Sequence, residues 1–149
     1  MPQYHSDTNK AKMASSIPLT DEDRWNWLIV LRKEAMNRLE GSDGVIVTCS
    51  ALKHKYRDVL RIANYENPNV QVHFLYLRAD RKTLQERVAN RKGHYMKQEM
   101  VNSQVDNLEE PDEVERDAMS VDVHATPEEV QQAALNAVQI KLAEYQHRL

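Results

Sequence analysis

Glycine is scarce in this 149-residue chain: Gly41, Gly44 and Gly93 are the only three. A glycine-rich loop that cradles phosphate with backbone N–H groups has no place among these residues, and the string GxxxxGK followed by Ser or Thr does not occur in them. Cysteine appears once, at Cys49, which excludes an intramolecular disulfide framework and fits a reducing compartment. No apolar run approaches the ~20 residues that a bilayer-spanning helix needs. The first ten residues, MPQYHSDTNK, hold no apolar signal region, so a cytoplasmic location is expected. Charge of one sign is also missing. Twenty basic and 23 acidic residues leave a net −3, which argues against nucleic acid or an anionic membrane as the main partner.

What is present reads as one α/β domain over residues 1–149, long enough to bury a core. Residues 9–14 suit a short helical turn, and Ile17-Pro18-Leu19 an extended linker. Thr20 and Asp23 make a capping-box start, with Asp21 and Glu22 complementing the helix dipole. Trp25, Leu28, Ile29, Ala35, Met36 and Leu39 recur from there to Gly41 at helical spacing and predict an inward stripe. Val45–Thr48 is short and β-branched, as expected of a strand buried on both faces. A helix is predicted over 52–63 with Tyr56, Val59 and Leu60 on one side. A strand over 70–77, a helix from Asp80 to near Gly93, a more polar helix over 97–109 and a strand over 118–123 follow. Thr126-Pro127-Glu128-Glu129 opens the last helix, with Val130, Ala134, Ala137 and Ile140 inward. Alternating strands and helices predict a parallel sheet.

Three segments carry chemistry. Arg87 and Arg91 stand one helical turn apart and run into Lys92, Gly93 and His94. Such a cluster of donors suits a flap over phosphate, a lid of about 87–108 hinged at Gly93. A solvated helix face is the plain alternative for the arginine pair. Cys49-Ser50-Ala51-Leu52-Lys53 follows the 45–48 strand directly, where open α/β sheets bind ligands. Small residues there let backbone approach a ligand, and Lys53 supplies charge. Cys49 reads as a small buried hydrophobe. Arg24 sits in a charged helix start and could hold a carboxylate in a bidentate grip. The six histidines are dispersed, and no spacing supports a metal site or covalent catalysis.

DEDRWNWL (21–28), CSALKHKYRD (49–58) and RKGHYMKQEMVNSQVDNLEEP (91–111), in this order and with NKAKMASSIPLT leading in, resemble the gluconate kinases. The resemblance runs from His5 to the last helix. It implies a P-loop-kinase-like parallel sheet with flanking helices and a lid, and transfer of the γ-phosphate of ATP to D-gluconate. It implies that His5, Arg24, Ser50, Ala51, Lys53 and Gln104 meet the sugar acid, and that Arg87, Arg91 and His94 reach the nucleotide phosphates. ATP and Mg2+ are the implied cofactors. The family has His-Pro where this chain has His5-Ser6, and a Pro where Lys97 follows the lid Met96. The family also opens with a strand, phosphate loop, helix and acidic turn, which supply the lysine, the Mg2+-binding hydroxyl and the catalytic carboxylate. The expectation is therefore a chain lacking that first βαβ portion, with no catalytic or metal-binding residue of its own and no turnover by itself. The alternative is a non-catalytic gluconate-binding or regulatory remnant. Open strand edges invite association, so a homodimer is a further expectation.

Overall fold

The computed structural model describes residues 4–90 and 98–146. These fall into two compact units, Met1–Val72 with Gln85–Glu110, and His73–Leu84 with Pro111–Leu149. The sequence pattern alone drew no boundary within 1–149.

The first unit is helical. Helix α1 (Asp7–Ala14) starts where Ser6 accepts from the Asn9 backbone N–H at 3.2 Å. Helix α2 (Asp21–Leu39) opens on the predicted capping box: Thr20 Oγ1 accepts from Asp23 N, and the Asp23 carboxylate accepts from Thr20 N at 2.9 Å. Asp23 also takes Lys12 Nζ at 2.7 Å, so the cap of α2 fixes α1 as well. Beyond Leu39, Gly41 adopts φ 81°, the left-handed turn that ends helices. Helix α3 (His54–Glu66) packs on α2 through Trp27, Leu28, Leu31, Tyr56 and Val59. Burial of such side chains stabilises by roughly 1.5–3 kcal/mol each.

The inward stripe of α2 differs from the one predicted. Arg24, Trp27, Leu28, Leu31 and Arg32 are buried, whereas Trp25 is 42 % exposed. The spacing is helical, but two of its members are arginines; Arg32 donates to Val59 O at 3.1 Å and to Glu66 at 3.2 Å. Of helix α4 (Arg81–Asn90) this unit holds the part from Gln85 on, and it holds the whole of helix α5 (Gln98–Asp106). α5 is better anchored than its polar composition suggested, since Met100 and Val101 are buried and Met100 joins Met13 and Leu19.

Val45–Thr48 forms no ladder, contrary to expectation. Among the described residues no strand pairs with it, and Ile46 is 90 % exposed. β-branched residues favour extended backbone, but a strand exists only when a neighbour takes its hydrogen bonds.

The second unit holds the sheet. Strands β1 (Phe74–Arg78) and β2 (Ala118–Asp122) are parallel, from Phe74 opposite Ala118 to Arg78 opposite Asp122. β1 begins later than the predicted residue 70 because pairing starts where Phe74 N reaches Asp117 O at 2.9 Å. Helix α6 (Pro127–Gln146) starts with the expected capping box, Thr126 N to Glu129 at 3.0 Å, and packs on β2. Val130, Ala134 and Ala137 are half-buried as predicted, but Ile140 is 65 % exposed and Lys141 takes its place. The step from 137 continues the inward face at 141, whose long methylene stem suits partial burial. The architecture is α/β with a small parallel sheet and helices. Among the described residues no helix is long and apolar enough to cross a membrane.

Candidate functional site

The first unit gathers the cations around one aromatic ring. Tyr56 is 2 % exposed in the first turns of α3. The guanidinium of Arg24 lies 5.9 Å from its ring centre and the ammonium of Lys53 5.8 Å from it. Both fall within reach of the attraction between a cation and an aromatic face. Arg24 projects from α2 immediately after the capping box. Its Nη1 reaches Ser50 Oγ at 3.5 Å and its Nε the Leu19 carbonyl at 3.4 Å. Lys53 stands at the N-cap of α3, where no side chain caps the helix locally. The 49–53 turn therefore meets Arg24 through Ser50 and brings Lys53 to the same Tyr56 ring.

Asp21 completes the cluster. Its carboxylate accepts from Lys53 Nζ at 2.9 Å, and from Lys55 Nζ and the Tyr56 hydroxyl. These donors, Lys55 first and then Tyr56 and Lys53, hold its carboxyl well below the usual carboxylate range. Burial, reinforced by Asp21, pushes the Tyr56 phenol up, so it remains a donor at neutral pH.

His5 is 8 % exposed and stacks on Trp27, with ring centres 4.2 Å apart and planes 16° from parallel. Burial, helped by the charge of Arg24, lowers its pKa to about 4. The imidazole is neutral at physiological pH and suited to hydroxyls rather than to charge. Its Nδ1 and the Nε1 of Trp27 are buried without a hydrogen-bond partner among the described residues. Buried polar atoms in proteins are nearly always paired, so such atoms point to a polar ligand or water.

The turn is braced from α3. Arg57, 3 % exposed, donates to Ala51 O at 3.0 Å and to Glu109 O at 3.0 Å. Glu109 N donates to Leu52 O at 2.8 Å, and the Glu109 carboxylate caps His54 N at 2.7 Å. Cys49 sits against the core with its thiol pKa raised by burial, which agrees with a packing role.

Of the residues predicted from sequence, His5, Arg24, Ser50, Ala51 and Lys53 all lie in the first unit, with Arg24, Ser50 and Lys53 drawn together around Tyr56. Gln104 is half-buried on α5, and Arg87 is exposed in the last turn of α4. Arg91 and His94 lie outside the described residues. Sequence reasoning missed Asp21, read there only as a dipole complement, and the ring of Tyr56, read only as core. The signal for Asp21 was its place three residues before Arg24, on the same face of α2.

No family model matches the chain. Individual proteins do. A probable gluconokinase of Schizosaccharomyces pombe is 40 % identical over 136 residues, covering 90 % of this chain and 70 % of its own. The thermoresistant gluconokinase of Escherichia coli is 40 % identical over 119 residues, 80 % of this chain and 65 % of its own. The crystal structure of a gluconokinase from Sinorhizobium meliloti superposes with a TM-score of 0.79 at 36 % identity, covering 97 % of this chain and 77 % of that one. The chain thus spans about two thirds to three quarters of the length of these relatives. With that extent of shared sequence and shared fold, the chain belongs to the gluconokinase family.

Proposed function

We propose that this chain recognises D-gluconate for the family reaction, ATP plus D-gluconate giving ADP plus 6-phospho-D-gluconate. The observation that carries the reading is the convergence of Arg24 and Lys53 on the Tyr56 ring beside Ser50. Two cations held at one aromatic surface, next to a hydroxyl and a turn of small residues, suit a carboxylate that carries hydroxyls. Neutral His5 suits one of those hydroxyls, and Gln104 on α5 offers a further amide. Gripping the carboxylate end leaves the hydroxyl at the opposite end of the six-carbon chain as the group to be phosphorylated. The residues of this site thus act by binding and orientation, which account for much of phosphoryl-transfer catalysis.

ATP supplies the phosphoryl group in the reaction, and Arg87, Arg91 and His94 are the donors proposed to face its phosphates. Among the described residues no three His, Cys, Asp or Glu side chains gather to hold a metal ion. The 149 residues carry no GxxxxGK string, and we expect the isolated chain to bind gluconate without measurable turnover.

Titration calorimetry with gluconate, glucose and glucarate tests the reading. Saturable binding of gluconate, lost in Arg24→Met and absent for uncharged glucose, supports it. Equal or absent binding of all three removes it. A coupled ADP-release assay on the same sample tests turnover, and robust ATP- and gluconate-dependent turnover would overturn the expectation of inactivity.

A further inference from the structure

We propose that Asp21 is the positioning residue of this pocket: its carboxylate sets the Lys53 ammonium and the Tyr56 ring where the sugar acid needs them, without itself touching the substrate. The inference rests on the gluconate reading above and assigns that site a residue with a separate task.

Three observations carry it. First, Asp21 is the opening residue of α2, and the capping box of Thr20 and Asp23 fixes the backbone there. Its carboxylate therefore sits on a short side chain carried by a fixed backbone. Second, three donors from the N-cap and first turn of α3 meet on it: Lys53, Lys55 and the Tyr56 hydroxyl. A carboxylate has about four lone-pair directions. Three are taken by the protein, which leaves this group poorly placed to serve a polyol as well. Third, Lys53, like Lys55, carries a flexible four-carbon stem that would otherwise sample many rotamers. Held at 2.9 Å from Asp21, its ammonium stays 5.8 Å from the centre of the same ring that Arg24 approaches at 5.9 Å.

The charge count agrees. Arg24, Lys53 and Lys55 bring three positive charges, and Asp21 removes one. The remainder still attracts an anion, while the mutual repulsion of the two lysines is relieved. A carboxylate that merely occupied the substrate's place would behave in the opposite way: its removal would free both lysines and tighten gluconate binding. The fixed backbone at the helix start and the bond to the Tyr56 hydroxyl favour positioning.

The test is a double-mutant cycle on gluconate affinity, by calorimetry on the full chain, with Asp21→Ala, Lys53→Met and the double variant. Asp21→Asn serves as a second variant that keeps an acceptor and the side-chain volume. Asp21→Ala is expected to weaken gluconate about tenfold, and to cause a clearly smaller loss once Lys53 is Met, when only the Tyr56 contact remains to be lost, because coupled residues are non-additive. A direct readout needs no substrate: amidination of Lys53, followed by mass spectrometry, is expected to be several-fold faster in Asp21→Ala and Asp21→Asn than in the parent chain. Tighter or unchanged gluconate binding in Asp21→Ala, or losses that add, overturns the proposal. If the parent chain binds no gluconate, the functional reading falls on its own. Lys53 reactivity then decides the positioning role: unaltered reactivity in both variants overturns it, and increased reactivity sustains it.

Discussion

Acidification is expected to reach this protein through His5. The imidazole is buried against Trp27, and its pKa falls from 6.5 to about 4. The unfolded chain takes up this proton near the ordinary value, and the folded chain does so only near the lower one. Between the two, the unfolded state binds more protons, so stability rises with pH and falls on acidification. At ~1.36 kcal/mol per tenfold change in proton affinity, the whole interval corresponds to roughly 3 kcal/mol. That is a large share of the 5–15 kcal/mol by which domains are ordinarily stable. The contribution is fully present above about pH 6.5 and gone below about pH 4. The assay is urea unfolding across that range for the parent chain and for His5→Phe, which keeps a flat ring on Trp27 and cannot titrate. The parent should lose about 3 kcal/mol more than the variant between about pH 7 and pH 4. The ring resonances of His5 should titrate with a midpoint near 4. Parallel stability curves for the two proteins, or a midpoint near that of a free histidine, would refute the argument.

Two further outcomes follow from the packing and the surface charges. Leu28 is fully buried between α2 and α3, so Leu28→Ala should cost about 3 kcal/mol in denaturant unfolding through the cavity it leaves. His124 bridges Asp122 at 2.6 Å and Asp80 at 3.0 Å, and its pKa is raised, by Asp80 first and then by Asp122. This histidine gains partners on folding, so its contribution is present below its unfolded pKa and lost as pH rises through the folded value. The melting temperatures of the parent and His124→Asn should differ most in mildly acidic buffer and converge in alkaline buffer, with high salt narrowing the gap.

The helix starts were legible in the sequence because they are local. Thr20 with Asp23, and Thr126 with Glu129, need only the next few residues to form, and both caps formed where expected. Core faces were legible only where apolar residues marked them. On α2 the inward stripe includes Arg24 and Arg32, whose burial depends on Ser50, Val59 and Glu66 far along the chain. A pattern of hydrophobic residues cannot reveal charges whose partners lie at long range. Val45–Thr48 failed for the same reason in reverse: its composition suits a strand, but pairing is a property of two segments. At the site, the family strings marked Arg24, Ser50 and Lys53, the residues proposed to face the substrate. Asp21 and Tyr56 stayed hidden because each already had a satisfactory local explanation, as a dipole complement and as a core aromatic.

The absence of a local cap on α3 has a consequence for the order in which this chain folds. The first N–H of α3 is taken by Glu109, 55 residues further along the sequence. Arg57 and Leu52 also bind the backbone of residue 109. Until the chain has closed that long loop, the first turn of α3 has no stop and frays, and the 50–53 turn has nothing to brace it. Closure over such a separation is entropically slow, and contacts of this range set folding rates more than stabilities. The paired helices α2 and α3 can therefore collapse early on Leu28 and Val59, while the turn that presents Ser50 and Lys53 waits for residue 109. The proposed binding surface is therefore expected to order after the core.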